Sequence, residues 1–333
     1  MMPVDYLFRL DADSQIGTGH LMRCLAIAET LSAQGGRCAF ACRPLPPTLR
    51  PKLLAYPVRE LDHDAAFWPL LTALTPRWVI VDHYGLDAEF EGRVRRHGSK
   101  LLVLDDLADR RHDADLLLDQ GPLRSEADYR PLLNADCRLL LGADYALLRP
   151  EFVARRKSAS TPFRRGFISF GGADPAHACL LTLQALTASD WWSRCEWTLL
   201  AGAANPDWET LQQWLARHPA RVSLLRHSDQ VADLLAAHDF AIGAAGGMMW
   251  ERCCVGLPTL SIPIADNQQF NDAVIAHFAL GERLTLAELE TPERLAAALT
   301  RLQVQAEAYR QRGQALVDGQ GLTRLATLLR THT

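Results

Sequence analysis

Gly17, Gly19 and His20 lie in the run Ile16-Gly17-Thr18-Gly19-His20-Leu21-Met22-Arg23, where a short apolar stretch breaks at a glycine pair and reopens as an amphipathic helix. A Gly-x-Gly turn lets the backbone come close to a ligand, and the free N–H groups and dipole of the helix behind it suit an anion such as a phosphate. The same dipole disfavours imidazolium, so His20 is expected to be neutral near pH 7 and able to accept a proton. A helix-capping histidine in a tight turn is the alternative for these residues taken alone.

Other groups occur where an apolar run gives way to a turn. Gly171-Gly172-Ala173-Asp174-Pro175 reads as a close-approach loop, with Asp174 as an N-cap and Pro175 at the first helical position. Gly243-Ala244-Ala245-Gly246-Gly247-Met248-Met249-Trp250-Glu251-Arg252 offers small residues that admit a diphosphate to a helix start. Glu251 follows about one helical turn on, where a carboxylate could accept from two ribose hydroxyls or simply belong to the first turn of the helix. Asp266-Asn267-Gln268-Gln269 supplies amide groups suited to sugar hydroxyl or acetamido groups, or a plain N-cap cluster. Val79-Ile80-Val81-Asp82-His83-Tyr84-Gly85 ends a buried strand in three polar side chains, and Leu104-Asp105-Asp106 ends another in a carboxylate pair; both fit either a ligand or a capped turn.

These residues need a scaffold that brings strand ends together. Apolar runs at 6–10, 37–41, 78–82, 101–105, 115–118 and 139–142 alternate with helical patterns such as 21–32 and 86–97. The rhythm pauses in the basic stretch from Ala154 to Arg165 and resumes with strands at 166–170, 197–201, 222–226, 240–243 and 259–263 and helices at 208–218, 231–238 and 271–280. The expected fold is α/β, two Rossmann-like domains with parallel sheets facing across a cleft: an N-terminal domain over 1–155, a linker over 156–165 and a C-terminal nucleotide-binding domain over 166–333. The tail from 292 onward reads as helices with no evident site. Arg93-Val94-Arg95-Arg96-His97 reads as the solvated last turn of a helix, an end that cations suit.

The chain has 333 residues, 48% hydrophobic and 22% charged, with a net charge of −4, the balance of a globular two-domain protein. That charge offers no overall attraction to nucleic acid or anionic lipid. No stretch reads as a signal peptide or membrane span, which points to a cytoplasmic protein with no membrane partner. The eight cysteines form no Cys-x-x-Cys pair and no zinc-knuckle spacing, so they read as buried free thiols. No metal site is expected.

Taken in order, the motifs resemble the UDP-sugar hydrolases of pseudaminic acid biosynthesis, which act on a UDP-linked diacetamido-trideoxy hexose. The resemblance is carried by Arg9-x-Asp11-Ala12 with Ile16-Gly17-x-Gly19-His20-x-Met22-Arg23, by Asp82-His83-Tyr84-Gly85, and by Leu104-Asp105-Asp106. It continues through Tyr145-Ala146-Leu147-Leu148-Arg149-x-Glu151-Phe152, Gly171-Gly172-x-Asp174, Trp250-Glu251-Arg252 with Gly256-Leu257-Pro258, and Asn267-Gln268. The resemblance implies a glycosyltransferase B-type fold, no cofactor, a monomer and hydrolysis at the anomeric carbon, with water replacing UDP. It makes His20 the base and puts Tyr84 and Asn267 beside the sugar. It assigns Asp11, Gly17, Gly19, Arg23, Arg149, Gly171, Gly172, Asp174, Gly246, Gly247, Glu251 and Gln268 to substrate binding, Glu251 as the ribose carboxylate. One departure stands out: related loops carry Ser or Thr hydroxyls where this chain has Gly247-Met248-Met249, leaving backbone N–H groups to hold the diphosphate.

Three rival readings remain. A glycosyltransferase would share UDP binding and a base. A nicotinamide-dependent oxidoreductase would use Gly17-x-Gly19 and Arg43, but the third glycine of that fingerprint is replaced by Met22. A non-catalytic nucleotide-sugar binder would need neither His20 nor Tyr84 for turnover.

Overall fold

Short runs of Val, Ile, Leu and Phe with little polar alternation suit parallel strands covered on both faces, and the chain builds two such sheets. The computed structural model describes residues 4–12, 19–47, 49–218 and 222–331. In the first sheet the strands are β1 (Tyr6–Leu10), β2 (Cys38–Cys42), β3 (Val58–Glu60), β4 (Trp78–Asp82), β5 (Lys100–Leu104), β6 (Leu116–Asp119) and β7 (Arg138–Leu141). They run in the order β3-β2-β1-β4-β5-β6-β7, all pairings parallel. The second sheet holds β8 (Arg165–Ser169), β9 (Glu196–Leu200), β10 (Val222–Leu225), β11 (Phe240–Gly243), β12 (Thr259–Ser261) and β13 (Glu282–Arg283), also parallel, in the order β10-β9-β8-β11-β12-β13.

Alternate residues of the first sheet feed two cores. Phe8, Trp78, Ile80 and Leu102 face the helix Gly19–Ala33, whereas Leu7, Val79, Val81 and Val103 face Phe67, Phe90 and Val94. In each sheet the strand order reverses direction beside the first strand, between β1 and β4 and again between β8 and β11. Such switch points open a crevice at the carboxyl ends of the strands.

The chain divides into two compact units, Met1–Arg149 with Gly319–Thr333, and Pro150–Asp318. This corrects the expected boundaries in two places. The helix Gly321–Thr331 returns to the first unit, because Leu322, Leu325, Ala326 and Leu329 form an apolar stripe buried in its core. Each fully buried leucine contributes roughly 1.5–3 kcal/mol there. Trp78 Nε1 donates to the Leu329 carbonyl at 2.9 Å, and a Cβ on Gly321 would lie 2.3 Å from the Ala146 carbonyl oxygen. The basic stretch expected as a linker at 156–165 belongs to the second unit: Arg156 donates to the carbonyls of Val317 and Gln314 at 2.8 and 2.9 Å, and Lys157 N to that of Val255 at 2.8 Å. Its positive charge is therefore used in local packing.

All eight cysteines are buried and free, as expected. Two edge strands, β3 and β13, escape the sequence pattern because they are only three and two residues long and carry no fully buried side chain.

Candidate functional site

At the switch point of the first sheet, β4 delivers Asp82 to the carboxyl edge and the helix Gly19–Ala33 delivers His20, Arg23 and Cys24 beside it. His20 begins the buried face of that helix, one turn before Cys24, and is only 5% exposed. Its Nδ1 lies 3.6 Å from Asp82 Oδ1 and has no hydrogen-bond partner among the described residues. The His20 and Tyr84 rings meet edge to face, with centroids 4.6 Å apart.

Asp82 is fully buried and would be costly as a lone charge. Arg23 compensates it bidentately, Nη2 reaching Oδ1 at 2.6 Å and Nε reaching Oδ2 at 2.5 Å, while Nη1 donates to Asp106 at 3.0 Å. Burial pushes the Asp82 pKa up, but the charge and hydrogen bonds of Arg23 outweigh it and hold the carboxyl below the usual carboxylate value. Burial lowers the His20 pKa; Asp82 opposes that and Arg23 adds to it, so the imidazole stays below the ordinary histidine value. Burial, together with the charge of Asp106, raises the Tyr84 pKa, so its hydroxyl remains a neutral donor.

A second cluster flanks the first. Asp11 follows β1 and accepts from Arg9 at 2.7 Å, from the Arg43 backbone N–H at 2.8 Å and from His83 Nε2 at 2.9 Å. Burial works to raise its pKa, and the bonds from His83, Arg9 and Arg43 more than offset this. His83 Nδ1 accepts the Gly85 N–H at 2.9 Å, which puts the ring hydrogen on Nε2 facing Asp11. His83 thus pins the Tyr84-Gly85 turn. Asp11, assigned to substrate binding from the sequence, spends its acceptors on this internal network.

The third group is a buried relay that sequence reasoning missed. Asp105 accepts from Ala108 N and Arg110 at 2.8 Å each, the capping alternative of its two readings. Tyr129 Oη lies 3.0 Å from Asp105 and 2.9 Å from Asp119, at the end of β6, but has only one proton to give. Burial pushes the Asp119 pKa up to about 6. Beyond them His112 Nδ1 bonds Glu91 at 2.8 Å, both side chains fully buried. Long-range pairing of isolated residues leaves no local signal in the sequence.

The second sheet presents backbone instead. Gly171, in the left-handed region at φ +97°, and Gly172 follow β8 and are exposed. Gly202, at φ +98°, holds the loop after β9 against them: a Cβ there would fall 2.3 Å from the Gly171 carbonyl oxygen. Asp174 is buried, and its carboxylate accepts from the backbone N–H groups of Ala178 and Cys179 at 2.9 and 2.8 Å. The helix begins at Ala178, so Pro175 is not its first residue as expected, and Asp174 caps it from four residues upstream and faces inward.

After β11 the chain runs through Gly243 to Gly247, and the helix Met248–Val255 starts with no side-chain cap. Asn271 Nδ2 donates to the Ala245 carbonyl at 2.9 Å. Gln268 Oε1 accepts from Ile264 N at 3.0 Å, and its Nε2 would stand 3.6 Å from a Cβ on Gly246. Asn267 is exposed in the 3₁₀ turn Asp266–Gln268, and Glu251 is half-buried in the first turn of the helix Met248–Val255. Arg149 is half-buried at the end of the first unit. A Cβ on Gly19, the first residue of its helix, would meet nothing within 4 Å among the described residues, whereas Gly17 lies outside them.

Among the described residues no group of three or more His, Cys, Asp or Glu is arranged to hold a metal, and no helix is long and apolar enough to cross a membrane. The structure therefore gathers His20, Arg23 and Tyr84 in the first unit, and Gly246, Gly247 and Gln268 in the second.

Comparison with known proteins agrees with this layout. Residues 177–326 match the glycosyltransferase family 28 C-terminal domain. The fold is that of MurG from Acinetobacter baumannii, with a TM-score of 0.68 at 15% identity over 98% of this chain and 99% of that one. The calicheamicin glycosyltransferase CalG4 aligns with a TM-score of 0.64 at 14% identity, covering 99% of this chain and 98% of that one. Among curated relatives, the spore coat polysaccharide biosynthesis protein SpsG of Bacillus subtilis is 26% identical over 217 residues, 63% of this chain and 62% of its own length. The resemblance read from the motifs is borne out over 79% of the chain: on a two-domain, glycosyltransferase B-type fold, it is similar to the UDP-2,4-diacetamido-2,4,6-trideoxy-beta-L-altropyranose hydrolase of Campylobacter jejuni, at 28% identity over 266 residues and 93% of that protein.

Proposed function

We propose that this chain hydrolyses a UDP-linked diacetamido-trideoxy hexose at its anomeric carbon, releasing UDP and the free sugar, in pseudaminic acid biosynthesis. The observation that carries the reading is His20: a buried imidazole with a lowered pKa, whose Nδ1 faces an ionised Asp82. A hydrogen on Nδ1, directed at Asp82, leaves Nε2 as the basic nitrogen. Arg23 holds Asp82 in place through two bonds, so the base is oriented before substrate arrives.

In this reading a water molecule loses its proton to His20 Nε2 while its oxygen attacks the anomeric carbon. The bond from that carbon to the UDP oxygen breaks, the electron pair leaves with UDP, and the configuration inverts. UDP is a stable leaving group, and its charge is met by the uncapped start of the helix Met248–Val255 and by the Gly171-Gly172 turn. Tyr84 donates its neutral hydroxyl to the sugar side, where Asn267 offers a second polar contact, and Glu251 accepts from the ribose hydroxyls. Gly17, Gly19 and Arg149 are assigned to the substrate with them. Asp11, Arg23 and Asp174 serve by positioning, since their polar atoms are engaged inside the fold.

The test is turnover of a small panel of UDP-diacetamido sugars with no acceptor added, followed by proton NMR. Free sugar and UDP in equal amounts, with the first-formed anomer inverted, support hydrolysis. Turnover that waits for an added acceptor favours the glycosyltransferase reading.

A further inference from the structure

Arg252, in the Trp250-Glu251-Arg252 motif, has no part in the proposed reaction so far. It is 1% exposed, and among the described residues only Nη2 of its three guanidinium nitrogens has a partner, the Ala244 carbonyl at 2.5 Å; Nε and Nη1 are buried with none. Arg9 is just as buried but is matched by Asp11 and Asp64 at 2.7 and 2.9 Å. Among the described residues no carboxylate lies within ion-pair distance of Arg252. Burial lowers its pKa to about 10, the mark of a guanidinium short of compensating charge.

The guanidinium lies directly beneath the glycine-rich loop. A Cβ on Gly243 would fall 2.2 Å from Arg252 Nη1 and 2.4 Å from the Ser169 carbonyl oxygen, so the loop's first glycine is required by the strand backbone and packs on this side chain. Internal compensation is closed off, because the cavity lined by Arg252, Thr259, Ser261 and Tyr309 has room of only about 10 Å³, that of one water molecule at most. The Ala244 carbonyl ties the guanidinium to the Ala244–Gly247 backbone, where the N–H groups of the uncapped helix start favour an anion.

We infer that Arg252 is a positioning residue for anion binding: it fixes the glycine-rich loop through the Ala244 carbonyl, and a diphosphate bound at Gly246-Gly247 supplies its missing counter-charge. The inference deepens the proposed UDP-sugar reading and rests on it for the identity of the anion. It also accounts for the absence of hydroxyl side chains at Gly247-Met248-Met249: a buried cation strengthens a grip made of backbone alone.

The experiment is isothermal titration of the full chain with UDP, uridine and inorganic pyrophosphate, for wild type, Arg252→Met and Arg252→Lys. The expected result is UDP and pyrophosphate binding weakened by about tenfold or more in Arg252→Met, uridine binding unchanged, and recovery to within about threefold in Arg252→Lys, which keeps the charge. If Arg252→Met does not fold, Arg252→Gln, which retains a donor for Ala244 while removing the charge, takes its place. Equal UDP affinity in wild type and the neutral variant overturns the inference and leaves the nucleotide reading intact, as does equal loss of UDP and uridine, the signature of a merely structural role. Wild type that binds pyrophosphate but not UDP overturns the nucleotide reading and leaves the anion site, and wild type that binds neither overturns both.

Discussion

The two units share the strand order 3-2-1-4-5-6 and line its carboxyl edge with opposite residue types. At the carboxyl edge of the first sheet stand Asp11, Asp82, His83, Asp105, Asp106 and Asp119, bound into networks with Arg9, Arg23, Arg110, His112 and Tyr129. At the same edge of the second sheet stand Gly171, Gly172, Gly202, Gly243, Gly246 and Gly247, with Arg252 the charged group nearest the loop. Side chains titrate and can move a proton, whereas backbone N–H groups cannot titrate and give a fixed positive potential at any pH. In the proposed reading one scaffold separates proton handling from anion holding, and each half is open to its own attack.

The largest effect is expected from the first unit. His20→Ala should lower kcat by about two to four orders of magnitude while the Kd for UDP stays the same, read from UDP release and from calorimetry. Because the folded His20 pKa lies below the ordinary 6.5, kcat/KM should be flat above that pH and fall only below it, when the base takes up a proton. An acid limb centred above 6.5 would mean that another group sets the rate.

The reciprocal change falls on the second unit. Gly202→Ala forces a Cβ onto a left-handed backbone and against the Gly171 carbonyl, so the Gly171-Gly172 turn must shift. UDP affinity should drop by roughly tenfold and the melting temperature should fall, with kcat at saturating substrate nearly unchanged. A variant that loses kcat but keeps its UDP affinity would break the division of labour. Glu251→Ala should act more weakly, raising KM several-fold with a smaller change in kcat, and its UDP binding by calorimetry should weaken in proportion. Undiminished UDP binding would remove Glu251 from the ribose.

The smallest effect is on stability. The Asp119 carboxyl titrates at about 6 in the folded chain against 3.8 when free, so the native state holds an extra proton between those values. Stability from this group is present at low pH and lost as pH rises through 6. Asp119→Asn removes that loss. Thermal melting should show the variant stabilised over wild type by about 1–3 kcal/mol near pH 8 and close to neutral near pH 4.5. No pH dependence of the difference would mean that Tyr129 shares its proton differently.

How much of this was legible in the sequence follows from what is local and what is not. β1, β4 and β11 match their expected bounds, because apolar runs ended by Asp or Gly are local signals, and nearly every other expected strand lies within one or two residues of its place. The helix Gly321–Thr331 was legible as a helix but not as part of the first unit, since its partner Trp78 stands far away in the chain. In the site, His20, Tyr84 and the glycine loops were legible from turn chemistry. The engagement of Asp11 by His83, the inward-facing cap of Asp174 and the Asp105-Tyr129-Asp119 relay were not, because each depends on residues that only the folded sheet brings together. The uncompensated charge of Arg252 was hidden for the same reason: a missing partner has no sequence pattern.

The central claim is that water attacks carbon. Turnover of the UDP-sugar in ¹⁸O-labelled water, with the released UDP read by phosphorus NMR or mass, tests it directly. The account predicts unlabelled UDP and one labelled oxygen in the free sugar, with the rate lowered by about two to four orders of magnitude in His20→Ala. Label on the terminal phosphate of UDP would place the attack at phosphorus and contradict it.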